Sequence, residues 1–128
     1  MIGLRPEFEV ALVKFEAALA KVGIKVMRTS GYRSFHEQDM LFARGRTTAG
    51  LIVTNARGGQ SWHNFGLAED YAFVIDGKVT WGGPWDRFGG IAVECGLEWG
   101  GNFEGFVDRP HVQMRGGKTL NEMRLKGV

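Results

Sequence analysis

The sequence predicts one small domain, residues 1–128, in which helices and short strands are mixed. Three observations carry this expectation. Apolar residues recur at helical spacing from Phe8 to Val22. Ser34 and Glu37 have the spacing of a capping box, which opens a second helix. Asp76-Gly77 separates two runs of strand character and is a strong two-residue hairpin signal.

Taken in order, Pro6 suits a first helical turn, and Phe8, Leu12, Phe15, Leu19 and Val22 follow on one face, with Gly23 as the stop. Ile24 to Ser30 reads as a strand with Ile24, Val26 and Arg28 on one side, broken by Gly31-Tyr32-Arg33. The helix capped by Ser34 runs to about Arg44 and ends at Gly45. Arg33 and Gln38 therefore sit at a strand-to-helix junction, where polar side chains often face a cleft. Residues 45–61 read as a long loop, interrupted by Leu51-Ile52-Val53-Thr54, of the kind that is functional or mobile in a small domain. Leu67 to Ile75 and Lys78 to Trp81 are the two hairpin strands, with Asp70, Ala72 and Val74 on one face. A second amphipathic helix begins at Pro84-Trp85 and ends near Cys95, capped by Gly96. Leu97 to Phe103 is a turn-rich aromatic loop, His111 to Met114 a last strand, and Leu120 to Leu125 a short tail helix.

Composition narrows the classes. With 44% hydrophobic and 23% charged residues the chain is ordinary for a globular protein, and 128 residues can bury roughly two-thirds of the unfolded surface. A single cysteine, Cys95, excludes an internal disulfide and reads as a small buried apolar residue. Met1 to Pro6 has no basic leader with an apolar core, so no signal peptide is expected. No apolar run approaches the roughly 20 residues that span a bilayer, so no stable membrane association is expected. The net charge of +2 is compatible with an anionic polymer, but no stripe of basic and aromatic residues points to nucleic acid.

The chemistry concentrates in Ser61-Trp62-His63-Asn64-Phe65-Gly66-Leu67-Ala68-Glu69-Asp70, answered by Asp108-Arg109-Pro110-His111. Two histidines and a carboxylate, His63, His111 and Asp70, are a donor set suited to catalytic zinc, which keeps one position open for water. Asp108 stands three residues before His111 as a candidate general base. Pro110 disfavours a helix there, so both would enter one cavity from a turn leading into a strand. Spacing alone leaves open the alternative that these are ordinary surface or hydrogen-bonding residues. His36, on the exposed side of a capped helix, fits that alternative. Trp62, Trp81, Trp85 and Trp99 are expected mostly in the core.

Four blocks together resemble the zinc metallopeptidases of the D-alanyl-D-alanine peptidase superfamily, and within it the L-alanyl-D-glutamate endopeptidases of phage endolysins and bacterial wall hydrolases. They are Ser30-Gly31-Tyr32-Arg33-Ser34 with Gln38, Ser61-x-His63-x-x-Gly66-x-Ala68-x-Asp70, Gly96-Leu97-Glu98-Trp99-Gly100-Gly101, and Asp108-Arg109-Pro110-His111. The resemblance implies an α+β fold, a small antiparallel sheet with flanking helices, as in the D-Ala-D-Ala peptidase and hedgehog-like group. It implies one zinc per chain on His63, Asp70 and His111, with Asp108 as base and Arg33 polarising the scissile carbonyl. It implies Ser61 and Gln38 as substrate-side or supporting hydrogen-bonding groups. Asp at 108, rather than Glu, favours the L-alanyl-D-glutamate bond over D-alanyl-D-alanine. Asn102-Phe103 replaces a more usual Asp-Trp, and Val112 a common aromatic.

The expected protein is thus a monomeric peptidoglycan hydrolase that cleaves the stem peptide with zinc-activated water, with no separate wall-binding domain. It would be made in the host or bacterial cytoplasm and act on the wall after holin-type release. The alternatives are a D-alanyl-D-alanine carboxypeptidase or dipeptidase, and a non-catalytic hedgehog-like zinc module.

Overall fold

The computed structural model describes residues 3–125, so the first two residues of the expected leaderless N-terminus lie outside the described part. Helix α1 (Pro6–Lys21) starts on Pro6 and buries Phe8, Leu12, Phe15 and Leu19 completely. Val22 does not join them: it is 43% exposed, because the helix ends at Lys21 and Val22 becomes its cap, off the helical stripe. Strand β1 (Val26–Ser30) follows, then helix α2 (Phe35–Ala43). Both halves of the capping box form, with Ser34 Oγ accepting from Glu37 N–H and the Glu37 carboxylate accepting from Ser34 N–H.

Strand β2 (Ala68–Ile75) is the centre of the sheet. It pairs antiparallel with β1, with β3 (Lys78–Thr80) and with β5 (His111–Gln113), and β5 pairs with the two-residue β4 (Glu98–Trp99). Asp76 at φ +52° and Gly77 at φ +74° both lie in the left-handed region, as a two-residue hairpin of this type requires. The α+β fold with its small antiparallel sheet is therefore as expected. Three short pieces within it were not anticipated. The aromatic loop after Gly96 contains β4 and a 3-10 turn at Gly100–Asn102, and a second 3-10 turn spans Trp62–Phe65. Elements of two to four residues have no periodicity to read.

Helix α3 (Trp85–Glu94) packs with α1 over one face of the sheet, and the short α4 (Leu120–Leu125) brings Met123 into the same core. Phe15, Tyr71, Phe73 and Phe88 meet edge to face, with Phe15 and Phe88 ring centres 5.0 Å apart. Each such pair is worth about 0.5–1.5 kcal/mol beyond its buried area. Trp62 and Trp99 are buried and Trp85 is half-buried against the core, but Trp81 is 56% exposed. Cys95 is half-buried against the core. Val112 is fully buried, so the residue after His111 serves packing.

Residues 45–61 have no strand, yet they are tied down. Arg46 donates to the carbonyls of Phe42 and Thr54 and to Asn55 Oδ1, and Asp39 Oδ1 accepts from Gly58 N–H. Leu51, Ile52 and Val53 stay exposed. No helix among the described residues is long and apolar enough to cross a membrane.

Candidate metal centre

The 3-10 turn at Trp62–Phe65 delivers His63. Ser61 Oγ accepts from His63 N–H, and Asn64 Oδ1 accepts from the amides of Gly59 and Ser61. Asn64 Nδ2 donates to the Arg33 and Ser34 carbonyls, while Arg33 N–H donates to the His63 carbonyl. The turn is thereby stitched to the β1–α2 junction. Asp70 and His111 arrive as directly opposed residues of β2 and β5. Sequence alternation puts both on the same face of the sheet, away from the core.

His63, Asp70 and His111 each offer a donor atom within 4.8 Å of the others, a set that can hold a metal ion. The ring nitrogens are already sorted. His63 Nδ1 is 2.7 Å from the Gly31 carbonyl, which accepts its proton and leaves Nε2 facing Asp70 Oδ1 at 3.3 Å. His111 Nε2 is 2.7 Å from Gln113 Oε1, which leaves Nδ1 facing the same oxygen at 3.1 Å. Two imidazole nitrogens and a carboxylate oxygen thus converge on one place, with the far nitrogens fixed by outer partners, the arrangement seen around ligating histidines. Nitrogen and oxygen donors of this kind suit zinc. The donor set fits the ion.

Electrostatics agree. Burial pushes Asp70 up, but hydrogen bonds and charge from His111 and His63 outweigh it and hold the carboxyl well below the usual range. Burial lowers His111, and its bond to Asp70 more than reverses this. Asp108 stands apart from the pair. Its Oδ2 lies 3.9 Å from His111 Nδ1 across a turn closed by His111 N–H to the Asp108 carbonyl. Burial, then the Asp70 charge, raise its pKa. A carboxyl with raised affinity for a proton, beside a metal-ready cluster, is suited to proton transfer.

Arg33 also reaches the site. Its Nε donates to Ser30 Oγ, Nη1 to Gln38 Oε1 and Nη2 to Asp70 Oδ2. All these residues except Ser30 and Gln38 line a cleft of about 490 Å³ between Val53–Ala56 and a wall formed by Phe103, Glu104 and Phe106. Ser61 lines it as well, although its hydroxyl already caps His63. Gln38 is fully buried behind the cleft, where its amide donates to the Ala56 carbonyl. It supports Arg33 and the loop, and it does not reach the cleft surface. His36 is on the exposed face of α2, as expected. Phe103, at the position where the sequence departs from the more usual aromatic pattern, packs its ring 5.6 Å from His111 and forms part of the cleft wall.

Sequence reasoning missed Gln113, Gly31, Asn64 and Glu69. Gln113 could have been found, since it stands two residues after His111 on the same strand face. Asn64 has a local signal too, since with Ser61 three residues earlier it forms a capping box, whereas Gly31 and Glu69 act across more than thirty residues and leave none. Glu69 is 3% exposed beneath Asp70, and burial pushes its carboxyl up to about 7 against the amides of Ser30 and Asp70 and the charge of Arg28.

Comparison with known proteins places the chain. A family model described as VanY, D-alanyl-D-alanine carboxypeptidase, matches residues 1–79, and a second model with the same description matches residues 54–114. The peptidoglycan L-alanyl-D-glutamate endopeptidase CwlK of Bacillus subtilis is 46% identical over 110 residues, 77% of this chain and 66% of that protein. An L-alanyl-D-glutamate peptidase of a Listeria phage is 38% identical over 58 residues, 42% of this chain and 21% of that protein. The chain therefore spans just under two-thirds of the first relative and about a fifth of the second. Among solved structures, the Serratia marcescens L-Ala D-Glu endopeptidase ChiX superposes with a TM-score of 0.60 at 28% identity, over 94% of this chain and 84% of that one. The first family match alone takes in more than half of the residues, including His63 and Asp70. This chain belongs to the VanY family of D-alanyl-D-alanine carboxypeptidases.

Proposed function

We propose that the protein is a zinc-dependent peptidoglycan peptidase that hydrolyses the L-alanyl-D-glutamate bond of the stem peptide. The observation that carries this is the convergence of His63 Nε2, Asp70 Oδ1 and His111 Nδ1 beside Asp108 in an open cleft. The choice of bond is supported by the names of the Bacillus, phage and Serratia relatives. Those names also favour the bacterial wall as the place of action.

The three donors would hold one zinc per chain, which when bound supplies Lewis-acid polarisation and lowers the pKa of water to about 7. The remaining work falls to the chain. The stem peptide would lie in the cleft that Val53–Ala56, Phe103, Glu104 and Phe106 help to line. Arg33, held by Ser30, Gln38 and Asp70, keeps N–H groups for the scissile carbonyl oxygen and for the charge that grows on it. Asp108 takes a proton from the attacking water and delivers it to the departing amine nitrogen, so the peptide bond becomes a carboxylate and an amine. Ser61 keeps His63 in place and borders the substrate.

A second reading is favoured by the description of the matched family, a D-alanyl-D-alanine carboxypeptidase. Digestion of purified peptidoglycan with mass spectrometry of the new termini separates the two. New N-terminal D-glutamate supports the endopeptidase, and released D-alanine overturns it in favour of the carboxypeptidase.

A further inference from the structure

We infer that Glu69 is a positioning residue for the metal centre, a buried carboxylate that sets His63, Asp70 and Arg33 through the backbone of Ser30 and Gly31. The inference rests on the zinc reading above. Alternation along β2 puts Glu69 on the core side with Tyr71 and Phe73, opposite to Asp70. A carboxylate on that side is costly to bury, and an apolar residue of similar size would pack there at less expense of free energy. Packing does not explain it. Its contacts do.

The β1–β2 ladder shifts register between Arg28 and Ser30, and beyond the shift Ser30 stands opposite Asp70. Glu69 Oε2 accepts from it at 3.1 Å, and the same oxygen accepts from Asp70 N–H at 3.2 Å. The other oxygen lies hard against the next residue, since a Cβ added to Gly31 would stand 2.8 Å from Glu69 Oε1. The carboxylate therefore fixes the end of β1 and the residue after it, just past the register shift, and the site hangs on that stretch. The Gly31 carbonyl accepts His63 Nδ1 at 2.7 Å, which selects Nε2 as the donor to the metal. Ser30 Oγ accepts Arg33 Nε at 3.0 Å, and Arg33 in turn meets Asp70. Glu69 does not line the cleft, yet it bonds to the Asp70 amide directly and reaches Arg33 through Ser30 and His63 through its close contact with Gly31.

The role needs two acceptor positions at the right place. Glutamine can supply the shared acceptor to Ser30 and Asp70, and alanine cannot. Wild type, Glu69→Gln and Glu69→Ala are compared at a temperature where circular dichroism shows all three folded. Zinc affinity is measured by competition with a chromophoric chelator, and kcat and KM on purified peptidoglycan fragments. The His63 Nδ1 proton is followed by NMR in the metal-free proteins. Glu69→Ala is expected to bind zinc about 10–100-fold more weakly, as other changes behind metal ligands do, with kcat lowered and KM little changed. It should also lose the slowly exchanging His63 proton, while Glu69→Gln stays close to wild type on every readout. A folded Glu69→Ala that binds zinc as wild type does, or a Glu69→Gln that falls as far as alanine, overturns the inference. A wild-type protein that binds no zinc overturns the reading of the site instead, and the NMR comparison still decides whether Glu69 positions His63.

Discussion

Arg33 Nη2 meets Asp70 Oδ2 at 3.2 Å, while the other oxygen of the same carboxylate faces both histidines. Asp70 is thus divided between the metal-ready cluster and the cation beside it. Arg33 makes its other two bonds, to Ser30 Oγ and Gln38 Oε1, with a planar fork that lysine lacks. Arg33→Lys should therefore lower kcat by about 10²–10³, the cost of removing one preorganised donor to a developing oxyanion. Zinc content should stay at the wild-type level by metal analysis. A wild-type kcat in the lysine variant would remove Arg33 from the reaction.

Asp108→Asn keeps the shape of the side chain and removes the proton acceptor. Asp108 lies 3.9 Å from His111 and outside the trio whose donor atoms converge. The substitution should cost about 10²–10⁴ in kcat with zinc affinity near wild type. Loss of zinc in parallel with activity would instead make Asp108 a ligand.

Gln113 fixes His111 from behind and is itself held by Glu98, which pairs with Arg115. Gln113→Leu leaves His111 Nε2 without its acceptor, so the ring can turn or protonate at the wrong nitrogen. Zinc affinity should weaken by about 10–100-fold, measured by chelator competition. If affinity is unchanged, His111 is held by Asp70 alone.

What could be read in advance was local. The α1 stripe, the Ser34–Glu37 box and the Asp76-Gly77 hairpin each declare themselves within a few residues, because helix and turn geometry bring near neighbours together. His63, Asp70 and His111 were legible as a donor set, with Asp108 as the candidate base beside it, through their residue types and their blocks. Their supports were not. The Gly31 carbonyl on His63 and Glu69 under Ser30 join positions more than thirty residues apart, and nothing in either stretch marks the partner. Gln38 was expected to face the cleft from the junction; it is instead completely buried, where its amide donates to the Ala56 carbonyl of loop 45–61, a tertiary fact.

Away from the site, Glu9 and Glu16 flank Arg28, and Tyr71 donates to Glu16. The hydrogen bond from Arg28 holds the Glu9 carboxyl below its ordinary value of 4.5. A lowered carboxyl stabilises the folded state above 4.5, and this contribution is lost as the pH falls through the lowered folded value. Glu9 is 46% exposed, so the pair is worth no more than about 1 kcal/mol. Urea melts of wild type and Glu9→Gln should differ by up to that amount near neutral pH and converge in acid. A difference that grows in acid would reverse the sign.

Asp70 and His111 are opposed partners in the β2–β5 ladder. Two of the three donors therefore keep their separation only while β5 stays paired to β2. Peeling that three-residue strand away would dismantle the proposed zinc site, and a bound ion would clasp the strand. Occupancy and thermal resistance become one quantity: zinc at a hundred times its Kd should add about 2.7 kcal/mol to unfolding, and a chelator should remove it. With zinc held as proposed, the metal content of the medium would set how firmly the sheet is closed.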